Sequence, residues 1–139
     1  MRILGIDHGD KRVGLALSDP LGITAQPLAT ISAVEAMAKI KDVIIQYPEI
    51  ALIVVGLPKN LRGEIGPQGE KVQQFMAELK TITDLKIISW DERFSTKAME
   101  RELIEAGLSR EKRKSVIDKL AAAAILQNYL DSQRHAPKN

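Results

Sequence analysis

The run Ala51-Leu-Ile-Val-Val-Gly56 constrains this chain more than any other stretch. It is strand-length, continuously apolar and rich in β-branched residues. That is the pattern of a parallel strand buried on both faces, not of one with a wet side. A parallel strand needs crossover connections, and these place helices over the sheet. The flanks agree. Before it, Ser32-Ala-Val-Glu35 reads as a capping box, and Ala36, Ile40, Val43 and Ile44 keep helical spacing until Pro48. After it comes a polar, glycine-rich loop, and Pro67 opens a second helix that carries Val72, Phe75, Met76 and Leu79 inward.

Ahead of this unit lie two further strand-like runs, Arg2–Asp7 and Arg12–Ser18, joined as a hairpin through His8-Gly9-Asp10-Lys11. Pro20 and Gly22 make the next turn, and residues 23–30 supply a third antiparallel strand with Pro27 at an edge or bulge. Beyond the second helix, Lys86–Trp90 is a short strand closed by Asp91-Glu92-Arg93. Ser95 or Thr96 caps a third helix that ends at Gly107. Ser115 caps a last helix through Leu130, and the polar tail from about residue 132 is expected to fray. The expected fold is α/β: a mixed five-stranded sheet, three antiparallel strands followed by βα units, with helices on both faces.

Its 139 residues make one domain over 1–139, which buries roughly 68–70% of its unfolded surface. With no cysteine, disulfides and zinc–thiolate sites are excluded and a reducing interior is expected. No apolar stretch approaches the ~20 residues of a membrane span, and nothing at the N-terminus reads as a signal peptide. A cytoplasmic protein without membrane contact is the expectation. Net charge is +2 with an isoelectric point near 8.9, a mild hint of a polyanionic partner. The distribution says more, because Lys11-Arg12, Lys59 with Arg62, and residues 110–114 cluster in loops or helix starts.

In open α/β sheets, sites form beyond the carboxyl ends of the strands. Asp7 ends the first strand and Glu92 follows the last. Asp118 stands in the first turn of a helix whose next turn is four alanines, small enough to let it lie close on the sheet. Three carboxylates without histidine or cysteine make an oxygen-donor set suited to Mg²⁺ or Mn²⁺, one ion or two. Such ions support phosphodiester hydrolysis. Each residue also has a plainer reading. Asp7 would serve as a turn former, Asp118 as a carboxylate at a helix N-terminus, and Glu92 as a partner of Arg93 or Lys97.

Four motifs, taken together, resemble one family. Gly5-Ile-Asp-His-Gly-Asp-Lys-Arg-Val-Gly-Leu-Ala-Leu-Ser-Asp19 is similar to the opening motif of the YqgF/RuvX family, Holliday junction resolvases also described as pre-16S rRNA nucleases. Val55–Gly63 resembles its GLPxNxxG loop, Asp91–Thr96 its DERxST motif, and Ile117–Gln127 its last helix. They occur in order from Gly5 to about Leu130.

The resemblance implies an RNase H-like fold and a metal-dependent nuclease site on Asp7, Glu92 and Asp118. In related RuvC-type resolvases an acid ends the fourth strand. Gly56-Leu57-Pro58 stands there in this chain, so the missing carboxylate is assigned to Glu92. Lys11, Arg12, Lys59, Arg62 and Arg93 are expected at backbone phosphates, and Asn60 with the Gly56–Gly69 loop at phosphate or as a cap on the site. His8 is expected as an exposed turn residue. With two Phe, two Tyr and one Trp, a base-stacking platform is not expected.

The partner implied is structured nucleic acid, with processing of the 5′ end of pre-16S rRNA as the leading role. Resolution of Holliday junctions by a homodimer, a phosphotransferase of the actin/hexokinase superfamily, and a non-catalytic RNA-binding module in ribosome assembly are the alternatives.

Overall fold

The computed structural model describes residues 1–92 and 95–134, with side chains except those of 95–98 and of Asp118. Strand β1 (Arg2–His8) pairs antiparallel with β2 (Arg12–Ser18), and β2 with β3 (Ala25–Ser32). The hairpin turn closes on a bond from Gly9 N to Arg12 O of 2.9 Å. A Cβ on Gly9 would stand 2.8 Å from that same oxygen, so the turn requires glycine.

Strand β3 begins two residues later than the sequence pattern places it. The Asp19 carboxylate accepts the N–H groups of Leu21, Ile23 and Thr24, at 3.3, 2.6 and 2.8 Å, and holds that segment as a loop. These bonds also keep the Asp19 carboxyl below its usual pKa. Pro27 sits at a register shift opposite Ala16, the irregularity a proline needs in a strand.

Strand β4 (Ile50–Leu57) contains the apolar run Ala51–Gly56. It lies parallel between β1 and β5 (Lys86–Asp91), giving the order β3-β2-β1-β4-β5. Ser32 does act as a helix cap, accepting from Val34 N at 3.3 Å. The first turn is a 3₁₀ turn over Ala33–Glu35, however, and helix α1 runs Ala36–Gln46. Helix α2 spans Pro67–Leu79 and opens on its proline.

The sheet divides two cores by strict alternation. Leu4, Ile6, Val13, Leu15, Ile53 and Val55 face α1 and α2, meeting Ile40, Val72, Phe75 and Leu79. Ile3, Ala16 and Val54 face the other way, onto Ala122, Ile125, Leu126 and Leu130 of the last helix. Helices therefore cover both faces, as expected.

Helix α3 (Ser95–Glu105) ends on Gly107 at φ +80°. Gly107 N bonds Ile104 O and Leu108 N bonds Leu103 O, a Schellman closure. Helix α4 runs Arg110–Arg134, not from Ser115. Ser109 holds its start, its Oγ accepting from Lys112 N at 3.3 Å and its carbonyl from Arg113 N at 2.8 Å. The basic stretch 110–114 is thus helical, and Ser115 lies inside the helix. Gln127 ties α4 to the sheet edge: its Oε1 accepts from Ala25 N and its Nε2 donates to Ile23 O.

Candidate active site

The carboxyl ends of β1, β4 and β5 lie side by side, and the side chains there are sorted by parity. Asp7 shares the α4 face of β1 with Ile3 and Gly5; Ile6 and His8 point to the α2 face. Asp7 sits within the ladder, opposite Gly14, two residues before the turn. Glu92 directly follows β5, its N–H directed at Leu57 O of β4 at 3.4 Å.

Strand β4 separates Asp7 from Glu92, and Gly56 is what lets Glu92 across. A Cβ there would come 2.7 Å from Glu92 Oε2 and 2.5 Å from Ile125 Cδ1. The Glu92 carboxylate therefore occupies the space beside Gly56 on the α4 face of β4. The Glu92 carboxyl feels the result. Burial first, then the negative charges of Asp7 and Asp91, push its pKa up to about 7. Asp7 and Glu92 are therefore brought together.

Asp118 lies in the third turn of α4, four residues before Ala122, and its side chain falls outside the described residues. Its position in the helix interior removes the helix-N-terminus explanation for that carboxylate. Ala122 marks where α4 touches the sheet: a Cβ on Gly5 would lie 3.2 Å from Ala122 O and 2.8 Å from Leu126 Cβ. The alanine run does what its small side chains predict. N-terminal to that contact an open cleft of about 720 Å³ lies over Asp7, lined by Lys11, Arg12 and Thr30 on one side and Glu111, Lys114, Ser115 and Lys119 on the other.

Other expected site residues are placed differently. Lys59, Asn60 and Arg62 belong to the loop after β4 and do not line this cleft. Asn60 organises that loop, its Oδ1 accepting from Arg62 N and Glu64 N, both at 2.9 Å. Gly69 lies inside α2, where a Cβ would come 3.0 Å from Pro58 O, so it serves packing and not a phosphate cradle. Arg93 lies outside the described residues.

His8 is not an exposed turn residue. It is the last residue of β1, half-buried, with its ring 4.5 Å from that of Phe75 and its pKa lowered chiefly by burial. It stands on the face of the sheet away from Asp7. Lys114, from the basic cluster 110–114, lines the cleft, and so do Ser115 and Lys119, which lie outside the expected site residues. Their spacing along one helix face was the available signal, hidden by starting the helix at Ser115.

Among the described residues, no three His, Asp or Glu side chains form a group able to hold a metal ion. The two placed acids are Asp7 and Glu92.

The family profile described as "RuvX: Holliday junction resolvase" matches residues 1–132. The chain belongs to the RuvX family. A relative from Thermoanaerobacter pseudethanolicus, named "Putative pre-16S rRNA nuclease", is 53% identical over 97% of this chain and 99% of its own length. Relatives of the same name from Desulforamulus reducens and Bacillus thuringiensis are 53% and 52% identical, over 95% and 96% of this chain and 98% and 100% of theirs. Among solved structures, T. thermophilus RuvC in complex with a Holliday junction substrate superposes at a TM-score of 0.59, with 14% identity, over 97% of this chain and 96% of that one. Fowlpox virus resolvase with its Holliday junction DNA gives 0.52, with 15% identity, over 96% and 99%. At such identities the RuvX chain shares the fold of these resolvases, the RNase H-like fold that the family resemblance implied, on the mixed α/β sheet expected from its strand order.

Proposed function

We propose that this RuvX chain is a cytoplasmic nuclease that hydrolyses phosphodiester bonds of structured nucleic acid at Asp7, Glu92 and Asp118, in processing the 5′ end of pre-16S rRNA. The observation that carries this reading is Glu92 held across β4 beside Asp7, in space that Gly56 vacates. A fold gains no stability by drawing two like charges together in a partly buried place. Such a pair fits a hard divalent cation, because the donors are carboxylate oxygens and, among the described residues, no imidazole lies on that face. Asp7 and Glu92 would hold Mg²⁺ or Mn²⁺, with Asp118 as the third acid. When bound, such an ion supplies Lewis-acid charge for displacement at phosphorus.

The chain's own residues do the rest. Glu92 gives up a proton near neutral pH to become an anionic donor. Lys11 and Arg12 flank Asp7 on the hairpin side and orient the substrate phosphate without reading sequence. Backbone contacts of this kind suit recognition by shape.

The family's description keeps a second reading open, resolution of Holliday junctions, which calls for a two-fold dimer presenting two sites. A cleavage assay separates the two. The protein is given a precursor rRNA 5′ end or a four-way DNA junction, with and without Mn²⁺, alongside Asp7→Asn. Mn²⁺-dependent cleavage of the rRNA, lost in the variant, is the expected result. Preferential cutting of the junction favours resolution. Binding without cleavage by the wild type, with Mn²⁺ or without it, favours an RNA-binding module, and cleavage surviving in Asp7→Asn overturns the site.

A further inference from the structure

We propose that α4 supplies a second phosphate-binding wall, Lys114 and Lys119, which faces Lys11 and Arg12 across the cleft over Asp7 and clamps a single unpaired strand there. The inference rests on the nuclease reading of Asp7 and adds how its substrate must enter. Three observations carry it.

The first is charge. Four cations line the two sides of one cleft, against the carboxylates of Asp7 and Glu111. Lys11, Arg12, Lys114 and Lys119 are all exposed, so their charge is offered to a ligand and not consumed by burial. Glu111 is the opposing charge on the α4 side, and it should weaken a polyanion's hold.

The second is shape. The cleft of about 720 Å³ is on the scale of a small-ligand site and takes a short length of backbone. It narrows where α4 meets the sheet: a Cβ on Gly14 would lie 3.5 Å from Ala122 Cβ and 3.8 Å from Asp7 Cβ. A strand lying over Asp7 is therefore approached from both flanks. In a continuous duplex the complementary strand occupies one of those flanks, so the clamp selects unpaired backbone.

The third is chemistry. Among the described lining residues there is no aromatic ring to stack a base. The polar neutral groups are the hydroxyls of Thr30 and Ser115. Contacts of this set are to phosphate and sugar, independent of base sequence.

The test is binding in EDTA, where cleavage does not interfere. Fluorescence anisotropy is measured over a salt series for an unpaired RNA oligonucleotide and for a blunt duplex with the same number of phosphates. The wild type should prefer the unpaired strand. The double variant Lys114→Ala/Lys119→Ala should weaken that binding roughly tenfold and lower the slope of log K against log salt by about 1.4, at ~0.7 per single-strand phosphate contact. Glu111→Gln should tighten it, a gain that a damaged fold cannot produce. Lys39→Ala/Lys41→Ala on exposed positions of α1 should change neither.

Unchanged affinity and slope in the Lys114/Lys119 variant overturns the wall, and equal binding of the duplex overturns the single-strand clamp. Mn²⁺-dependent cleavage of the same oligonucleotide keeps the two readings separate. If the wild type cleaves while the lysine variant binds normally, the wall falls and the nuclease stands. If the wild type never cleaves but loses binding as expected, the wall stands and the nuclease falls.

Discussion

At Glu92 the fold holds a carboxyl group where its charged form is disfavoured, with a pKa raised from 4.5 to about 7 by burial, Asp7 and Asp91. The folded chain therefore keeps a proton that the unfolded chain releases. Stability from this group is fully present below about pH 4.5 and is lost as pH rises through 7. The full shift corresponds to at most about 3.4 kcal/mol, and solvent reaching this half-buried group reduces it. Glu92→Gln keeps the shape and removes the charge. In EDTA at pH 8 the variant should melt above the wild type, and at pH 5 the gap should close. Thermal unfolding at the two pH values checks this, and a wild type at least as stable as the variant at pH 8 would contradict it. The same substitution, like Asp7→Asn, should lower Mn²⁺-dependent cleavage by roughly 100-fold or more, because the proposed site loses one of its anionic donors. Stability and activity pull apart at this residue, as they do at sites built from like charges.

Between elements, two glycines meet α4 in different ways and should fail differently. A methyl on Gly5 would meet Leu126 Cβ at 2.8 Å and the Ala122 carbonyl at 3.2 Å, atoms that cannot rotate aside. Gly5→Ala must push the helix off the sheet and should cost about 1–3 kcal/mol in denaturant unfolding. A methyl on Gly56 would meet Ile125 Cδ1 and Glu92 Oε2, both at the ends of side chains that can swing. Gly56→Ala should therefore lose less stability than Gly5→Ala yet displace Glu92, so that cleavage falls by a larger factor than folding. Wild-type cleavage in Gly56→Ala would show that Glu92 does not act from that position. The close approach of α4 was legible in its alanine run, and Asp7 was legible as an acid near the carboxyl end of β1, one residue short of where the strand stops. Gly56 was read as the gap where an acid was missing; its use as the passage for Glu92 depends on strand pairing and shows only in three dimensions. The start of α4 was misread because Ser115 with Asp118 mimics a cap with a first-turn acid, while Ser109, just past the Gly107 closure, is the real one. His8 was misread by a single residue of strand length. Once β1 includes it, alternation turns its ring onto Phe75 and away from Asp7.

At the scale of the whole molecule, the proposed site draws on the first strand, the last strand and the last helix, with the central β4 between the two strands. No local segment contains it, so it exists only while the sheet and both its cores are intact. A cation that binds there binds the native chain and not the unfolded one, and must shift global unfolding by mass action. Mn²⁺ at a hundredfold excess over its Kd should stabilise the wild type by about 2.7 kcal/mol. The proton on Glu92 competes with the ion. Below pH 7 each unit should weaken apparent affinity by up to about tenfold, so the same Mn²⁺ concentration should raise Tm more at pH 8 than at pH 6. Mn²⁺ should also reverse the ordering predicted for Glu92→Gln: the variant is the more stable protein in EDTA, the wild type the more stable one with the metal. Asp7→Asn should show little Mn²⁺ shift at either pH. Calorimetry or dye-monitored melting across these conditions decides the matter. A shift in Asp7→Asn equal to that of the wild type would place the ion elsewhere, and a wild-type shift larger at pH 6 would remove Glu92 from the ligand set.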